Sequence, residues 1–221
     1  MKFDEGKRLT ERFLMNLTAS PEILIATRNK GKLHEFQSML ADSAFRLRSL
    51  NDFPHATEVE ETGNSFRANA ILKATDYASQ TGLLTLADDS GLEVAALGGA
   101  PGVYSARYAG VGASDAERTA KLLAELSSTS DEERRARFVC VIALADAEGA
   151  QVETFTGTCE GHIAREPRGH HGFGYDPVFI PDGYQASFGQ LSATIKQEIS
   201  HRARALMKAK AFLLERFHTR A

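Results

Sequence analysis

Two aspartates stand side by side in Leu86-Ala87-Asp88-Asp89-Ser90-Gly91, directly after the apolar run at 82–87. Carboxylates at the exit of a buried strand are costly to desolvate unless a positive group faces them. A hard cation such as Mg²⁺ takes carboxylate oxygens and commonly comes with a phosphorylated substrate. Asp88 and Asp89 therefore raise the question of phosphate chemistry. The plainer reading is a polar turn closing a strand. It is the weaker one, because adjacent acids repel each other unless something compensates them.

Four further clusters bear on that question. Thr27-Arg28-Asn29-Lys30-Gly31-Lys32 falls between an apolar tetrapeptide and a helical pattern. Free backbone N–H groups and the helix dipole attract anions at such a junction, and Lys30 and Lys32 add charge. The spacing G-x-x-x-x-G-K-[ST] of a phosphate loop is absent, so taken alone this run reads first as a capped helix start with solvated lysines. Glu58, Glu60 and Glu61 place three carboxylates in four residues before the next helix. They suit half of a metal site and also suit the positive end of a helix dipole. In Phe173-Gly174-Tyr175-Asp176-Pro177 an aromatic lies between two glycines, Gly172 and Gly174, where a ring can offer its face to a base. Lys196 and Ser200-His201-Arg202 bring donors and positive charge to a helix start, fit for an anion or a base carbonyl. Alone they read as an exposed basic face. His170 and His171 sit in a Gly-rich loop and read as solvent-facing. Taken together, the clusters describe a Mg²⁺-dependent nucleotide site.

The elements that must position these groups follow from the pattern. The 221 residues suffice for one well-buried domain. Net charge is −3, which argues against a surface for nucleic acid while allowing a local basic pocket. No apolar run reaches the length of a membrane span, and the charged first twenty residues lack a signal core. Two cysteines, Cys140 and Cys159, lack metal-ligand spacing, and a reduced, cytoplasmic protein is expected. Residues 1–21 read as an N-terminal extension with a short amphipathic helix on Leu9, Phe13 and Leu17. The domain proper is expected over 22–221. A strand is predicted at 23–26, a helix on Leu33, Phe36 and Leu40, a strand and loop over 45–61, and a long helix over 62–80. A strand at 83–87 delivers the aspartates, and an ordered Gly-rich loop follows over 91–112. Ser114-Asp115-Ala116-Glu117 is a capping box. Segments 137–145 and 152–163 form an antiparallel hairpin. One final helix carries Ile199, Leu206, Leu213 and Phe217. Alternating strands and helices followed by a hairpin indicate an α/β or α+β mixed sheet.

The same blocks resemble the inosine triphosphate pyrophosphatase family in its bacterial branch. The likeness runs from Ile23 to about Leu214. It rests on Ala26-Thr27-Arg28-Asn29-Lys30-Gly31-Lys32, Glu61-Thr62-Gly63, Asn69-Ala70-Ile71-Leu72-Lys73-Ala74 and Ala87-Asp88-Asp89-Ser90-Gly91-Leu92. It continues through the run from Leu97 to Tyr108, Gly172-Phe173-Gly174-Tyr175-Asp176-Pro177 and Ser200-His201-Arg202. The resemblance implies an elongated mixed α/β sheet flanked by helices, with two lobes and an active-site cleft between them. It implies a homodimer that splits non-standard purine nucleoside triphosphates (dITP, ITP, XTP) into monophosphate and pyrophosphate. It implies that Thr27, Asn29 and Lys32 hold phosphates. Arg28, Lys30 and Gly31 belong to the same grip, where Arg28 replaces an expected small residue. Asp89 would bind metal or activate water, with Glu60 completing the Mg²⁺ site and Glu61 and Asp88 as secondary candidates. Ser90, Phe173, Gly174, Tyr175, Asp176, Lys196, His201 and Arg202 would contact the nucleotide. Thr194-Ile195 departs from an acidic pair expected before Lys196. The related pyrophosphatases for modified pyrimidines fit less well, because Ser200-His201-Arg202 points to the purine branch. A non-catalytic nucleotide sensor would not need the acidic pairs.

Overall fold

A computed structural model describes residues 21–218. The helix expected on Leu9, Phe13 and Leu17 lies outside the described residues. The chain enters β1 (Glu22–Ile25), whose apolar residues are fully buried. The backbone then turns, and the Asn29 side chain accepts from the Lys32 N–H at 3.0 Å to cap α1 (Lys30–Leu40). Strand β2 (Arg46–Ser49) follows. Helix α2 (Phe66–Thr81) begins four residues later than the sequence pattern predicts. Ser65 stays extended and accepts from the Ala68 N–H, which fixes the helix start there.

Strand β3 (Leu84–Val94) pairs with β4 (Arg135–Ala145), which pairs with β5 (Val152–Ile163). The expected hairpin at β4–β5 is present. A short β6 (Phe179–Pro181) completes one six-stranded sheet in the order β2-β1-β3-β4-β5-β6. β1 is parallel to both its neighbours, and the other pairings are antiparallel. The fold is therefore α/β with a mixed sheet. Helix α3 (Asp115–Glu125) opens on the capping box that the sequence predicts, with Ser114 and Glu117 bonding reciprocally. Two further helices, α4 (Ala193–Ile199) and α5 (His201–His218), end the described chain. None of the described helices is long and apolar enough to cross a membrane.

Three expectations need correction. Ser90-Gly91 is not a turn: the chain stays extended to Val94, so both aspartates lie inside a strand. Gly91 permits this because a Cβ there would meet the Ser105 hydroxyl at 2.4 Å and the Gly102 carbonyl at 2.5 Å, both in the 3₁₀ turn Gly102–Arg107. Hence the loop over 91–112 begins in a strand and contains short helical turns. The single last helix is broken at Ser200, which is extended and whose hydroxyl accepts from the Ala203 N–H.

The core divides along the long strands. Ile23, Ile25, Leu86, Ile142 and Leu144 pack on one sheet face against Phe36 and Leu40 of α1 and Ala205, Leu206 and Leu213 of α5. On the opposite face Leu24, Ala87, Val141 and Ala143 pack against α2. A third cluster, with Leu92, Phe138, Tyr175, Phe179 and Phe188, builds the other end of β3, β4 and β5. The aspartates sit between these ends.

Gly157 on β5 lets α5 approach closely, because a Cβ there would lie 2.2 Å from the His201 carbonyl and 2.4 Å from the Ala205 nitrogen. Backbone atoms cannot yield as a side chain does. Gly157→Ala should therefore cost about 1–3 kcal/mol, read as a lower midpoint in thermal or denaturant unfolding. An unchanged midpoint would contradict this packing.

Candidate active site

The alternation of a strand decides where the two acids point. Leu86, Asp88 and Ser90 face α1 and α5, whereas Ala87 and Asp89 face α2. The adjacent carboxylates thus occupy opposite faces, and each finds its own cation. β1 pairs with β3 only as far as Leu86, so the strand segment beyond it borders the turn 26–29. That is the carboxyl end of parallel strands, where α/β sheets place their ligand crevices.

Asp88 is buried on the first face. Lys32 Nζ lies 3.0 Å from its Oδ2 and Arg202 Nη2 lies 3.4 Å from the same oxygen. The Ser90 hydroxyl donates to that oxygen at 3.1 Å and accepts from Arg202 Nη2 at 2.9 Å. Burial pushes the Asp88 carboxyl up, but Lys32, Arg202 and Lys73 together outweigh it and hold the group well below the carboxylate range. Its second oxygen, Oδ1, is buried without a hydrogen-bond partner.

Asp89 faces the other way. Its Oδ2 accepts from Asn69 Nδ2 at 3.0 Å, and its Oδ1 lies 3.6 Å from Lys73 Nζ. Lys73 also bonds Glu61 at 2.5 Å. Burial and the nearby Glu61 push the Asp89 carboxyl up against the pull of Lys73. The Asn69 carbonyl oxygen accepts from the Gly63 N–H at 2.8 Å, which ties the acidic segment to α2. Glu61 turns inward to Lys73, whereas Glu60 is exposed.

At the opposite end, α4, α5 and the 173–176 loop converge. Lys196 Nζ lies 2.5 Å from Asp176 and 2.7 Å from Glu35. Glu35 also accepts from Arg202 Nη1. Burial resists its charge, but Arg202 and Lys196 prevail and lower its pKa. The Phe173 ring has the Lys196 ammonium 4.7 Å and the Arg202 guanidinium 5.6 Å from its centroid, and it lies against Gly31 of α1. The Gly174 and Tyr175 backbone belongs to the same loop. His201 stacks on Phe138 at 4.6 Å. Burial, then Arg202 and Lys196, drive its pKa well below 6.5, so its imidazole is neutral. His201 Nδ1 and Arg202 Nε are buried without partners.

The structure therefore brings Lys32, Asp88, Ser90, Arg202, Lys196, Phe173 and Asp176 into one connected network. Asp89 lies across the strand from it. Thr27 and Asn29 stand at the mouth, with the Thr27 hydroxyl accepting from the Asn29 N–H. Arg28 spends a guanidinium N–H on the Ala56 carbonyl at 3.0 Å, and Lys30 faces solvent. His170 and His171 are exposed, as the sequence reading expects. Lys73, Asn69 and Glu35 are partners that the reading of roles passes over. Lys73 and Asn69 are four apart on α2, a spacing that puts two polar groups on one side of an Ala-rich helix. Glu35 carries no comparable signal, because a single acid three residues after Lys32 suits any exposed helix face.

A mixed sheet with cations and carboxylates gathered at the carboxyl ends of parallel strands places this chain among α/β proteins whose ligand crevice lies at that edge. The sequence profile of the Ham1 family matches residues 23–212, and the chain belongs to that family. It is 47% identical to a dITP/XTP pyrophosphatase of Bacillus licheniformis over 192 residues, covering 87% of this chain and 97% of that relative. It is 51% identical to one of Geobacter sulfurreducens over 191 residues, covering 86% and 96%. The solved HAM1 protein of Coxiella burnetii superposes with a TM-score of 0.81 at 46% identity, covering 88% of this chain and 99% of that one.

The neutral His201 carries a pH signature. Its folded pKa lies below the unfolded value of 6.5, so the unfolded chain takes up a proton that the fold refuses. This contribution is complete above pH 6.5 and falls away as the pH drops below it. Wild-type protein should lose about 1 kcal/mol more stability than His201→Asn between pH 7 and 5.5, measured by urea unfolding. Equal losses would contradict the buried neutral imidazole.

Proposed function

We propose that this protein hydrolyses non-standard purine nucleoside triphosphates (ITP, dITP, XTP and dXTP) to the monophosphate and pyrophosphate. The observation that carries this reading is the buried Asp88, which holds a phosphate-grip lysine and a base-end arginine on one oxygen. The identity to dITP/XTP pyrophosphatases along nearly their whole length supports the substrate class.

Asp89 is the acid that orients the water. Its raised carboxyl suits a general base better than that of an exposed aspartate. The water oxygen bonds the α-phosphorus in line, the bond to the bridging oxygen breaks, and pyrophosphate leaves. The proton passes through Asp89 to solvent. Thr27, Asn29 and Lys32 hold the phosphates, and Lys32 meets the charge of the leaving group. Little covalent chemistry falls to the protein, so positioning and electrostatics carry the rate.

A divalent metal fits these residues. Glu61 and Asp89 both reach one cation, Lys73, which sets two carboxylates together on the α2 side of the strand. Among the described residues no group of three or more His, Cys, Asp or Glu converges as a complete metal cage. Mg²⁺ commonly takes one or two carboxylates and completes its shell with phosphate oxygens and water. Asp89 and Glu61 would hold it, in place of the Glu60 that the resemblance favours: Glu61 turns inward to Lys73, Glu60 is exposed, and Asp88 faces the other side of the strand. The bound ion would neutralise charge and polarise the phosphate oxygens. A homodimer in the cytoplasm, as the resemblance implies, belongs to the same reading.

Base selection rests on unpaired donors. Arg202 Nε can only donate, so it bonds a 6-oxo group and not the 6-amino group of adenine, and a neutral His201 adds to this when its unpartnered Nδ1 carries the proton. A site whose buried donors go unpaired rejects the wrong base strongly. Phe173 stacks on the purine, and Lys196 and Asp176 flank it.

Pyrophosphate release from ITP, XTP, GTP and ATP, with Mg²⁺ or EDTA, tests the reading. Mg²⁺-dependent release largely confined to ITP and XTP is expected. Equal release from all four would overturn the base selection, and release from none would overturn the activity. Asp89→Asn should cut kcat by about 100-fold or more with little change in KM, as loss of a positioned base requires. Near-normal turnover would contradict that role.

A further inference from the structure

We infer that Asp115 is a positioning residue for the base-binding loop, reaching from the start of α3 to hold Gly174 and thereby Phe173. The inference rests on the functional reading above for the identity of the loop's ligand. Asp115 is the first residue of α3, where an acid would be satisfied by the helix dipole alone. Here its Oδ2 instead accepts from the Gly174 N–H at 2.6 Å. Its Oδ1 accepts from Arg118 Nη2 on the same helix. Arg118 in turn donates from Nη1 to the Ala106 carbonyl at 2.9 Å and the Ala113 carbonyl at 2.6 Å. The pair thus fastens three segments together: the 3₁₀ turn ending at Arg107, the start of α3 and the aromatic loop.

The loop needs such an anchor. Gly174 adopts φ +63°, and nothing lies within 4 Å of where a Cβ would stand, so that side of the residue is open. The Phe173 N–H donates to Asp176 at 2.8 Å, and the Tyr175 hydroxyl donates to the Ser105 carbonyl at 3.0 Å. Asp115 supplies the hold between these two, at the residue that follows the stacking ring. Without it, the nucleotide must order Phe173 as it binds, and that cost falls on binding. The loop lies at the base end, so the step at the α-phosphorus keeps its rate.

Two measurements on the full chain test this. By hydrogen exchange without nucleotide, the amides over 172–175 should exchange at least tenfold faster in Asp115→Ala than in wild type. Asp115→Asn keeps an acceptor for Gly174 and should exchange within threefold of wild type. In steady-state kinetics, Asp115→Ala should raise KM for ITP at least fivefold with kcat within twofold, and Asp115→Asn should restore KM within twofold. A wild-type KM in Asp115→Ala would overturn the inference. So would an Asn variant as impaired as the Ala variant, or a fall in kcat at constant KM, which is what loss of helix stability alone would give. Absence of ITP turnover in wild-type protein would instead overturn the functional reading, and the exchange measurement would still decide whether Asp115 anchors the loop.

Discussion

The arrangement depends on one buried carboxylate. Asp88 has almost no contact with solvent, and its Oδ2 meets Lys32, Arg202 and the Ser90 hydroxyl. A buried charge survives only when paired and bonded, so the cations are as necessary to the aspartate as it is to them. Arg202 extends the chain of pairs to Glu35, and Glu35 extends it to Lys196 and Asp176. The start of α1 at Lys32 and the 173–176 loop are therefore electrostatically continuous through the middle of the fold. Deleting one member leaves others buried and uncompensated.

The sheet makes this possible at low steric cost. Parallel β1 stops at Ile25 beside Leu86, and the chain turns away into the capped start of α1. That departure leaves the next residues of β3 with a neighbour on one edge only. Their alternation then sends Asp88 to the side of α1 and α5 and Asp89 to the side of α2. Two like charges that neighbour each other in sequence are separated by the thickness of a strand. One is committed to holding cations and the other, pushed up by burial, is suited to moving a proton.

Much of this was legible in the sequence. The apolar β1 follows from its own residues, and the capping box at Ser114 and the β4–β5 hairpin follow from local patterns whose partners are close in the chain. The acidic pair, the Lys32 cluster and Ser200-His201-Arg202 could be recognised as chemistry-bearing because their residue types are costly to bury. What was hidden is long-range. Ser90-Gly91 resembles a turn, and only the approach of Ser105 and Gly102 explains why the strand continues. The break at Ser200 depends on a hydroxyl capping its own helix, which interrupts an otherwise helical pattern. Lys73, Asn69 and Glu35 are ordinary helix-surface residues until the sheet places Asp89, Lys196 and Arg202 opposite them.

The central claim is that Asp88 couples the two ends of the site. The most direct test is Asp88→Asn, which keeps the volume and removes the charge, assayed with ITP and ATP. The account predicts that both ends weaken together: KM for ITP rises at least tenfold, and the preference for ITP over ATP falls by a similar factor. A variant that loses affinity while keeping full base preference, or the reverse, would show that the two ends are independent and would contradict the account.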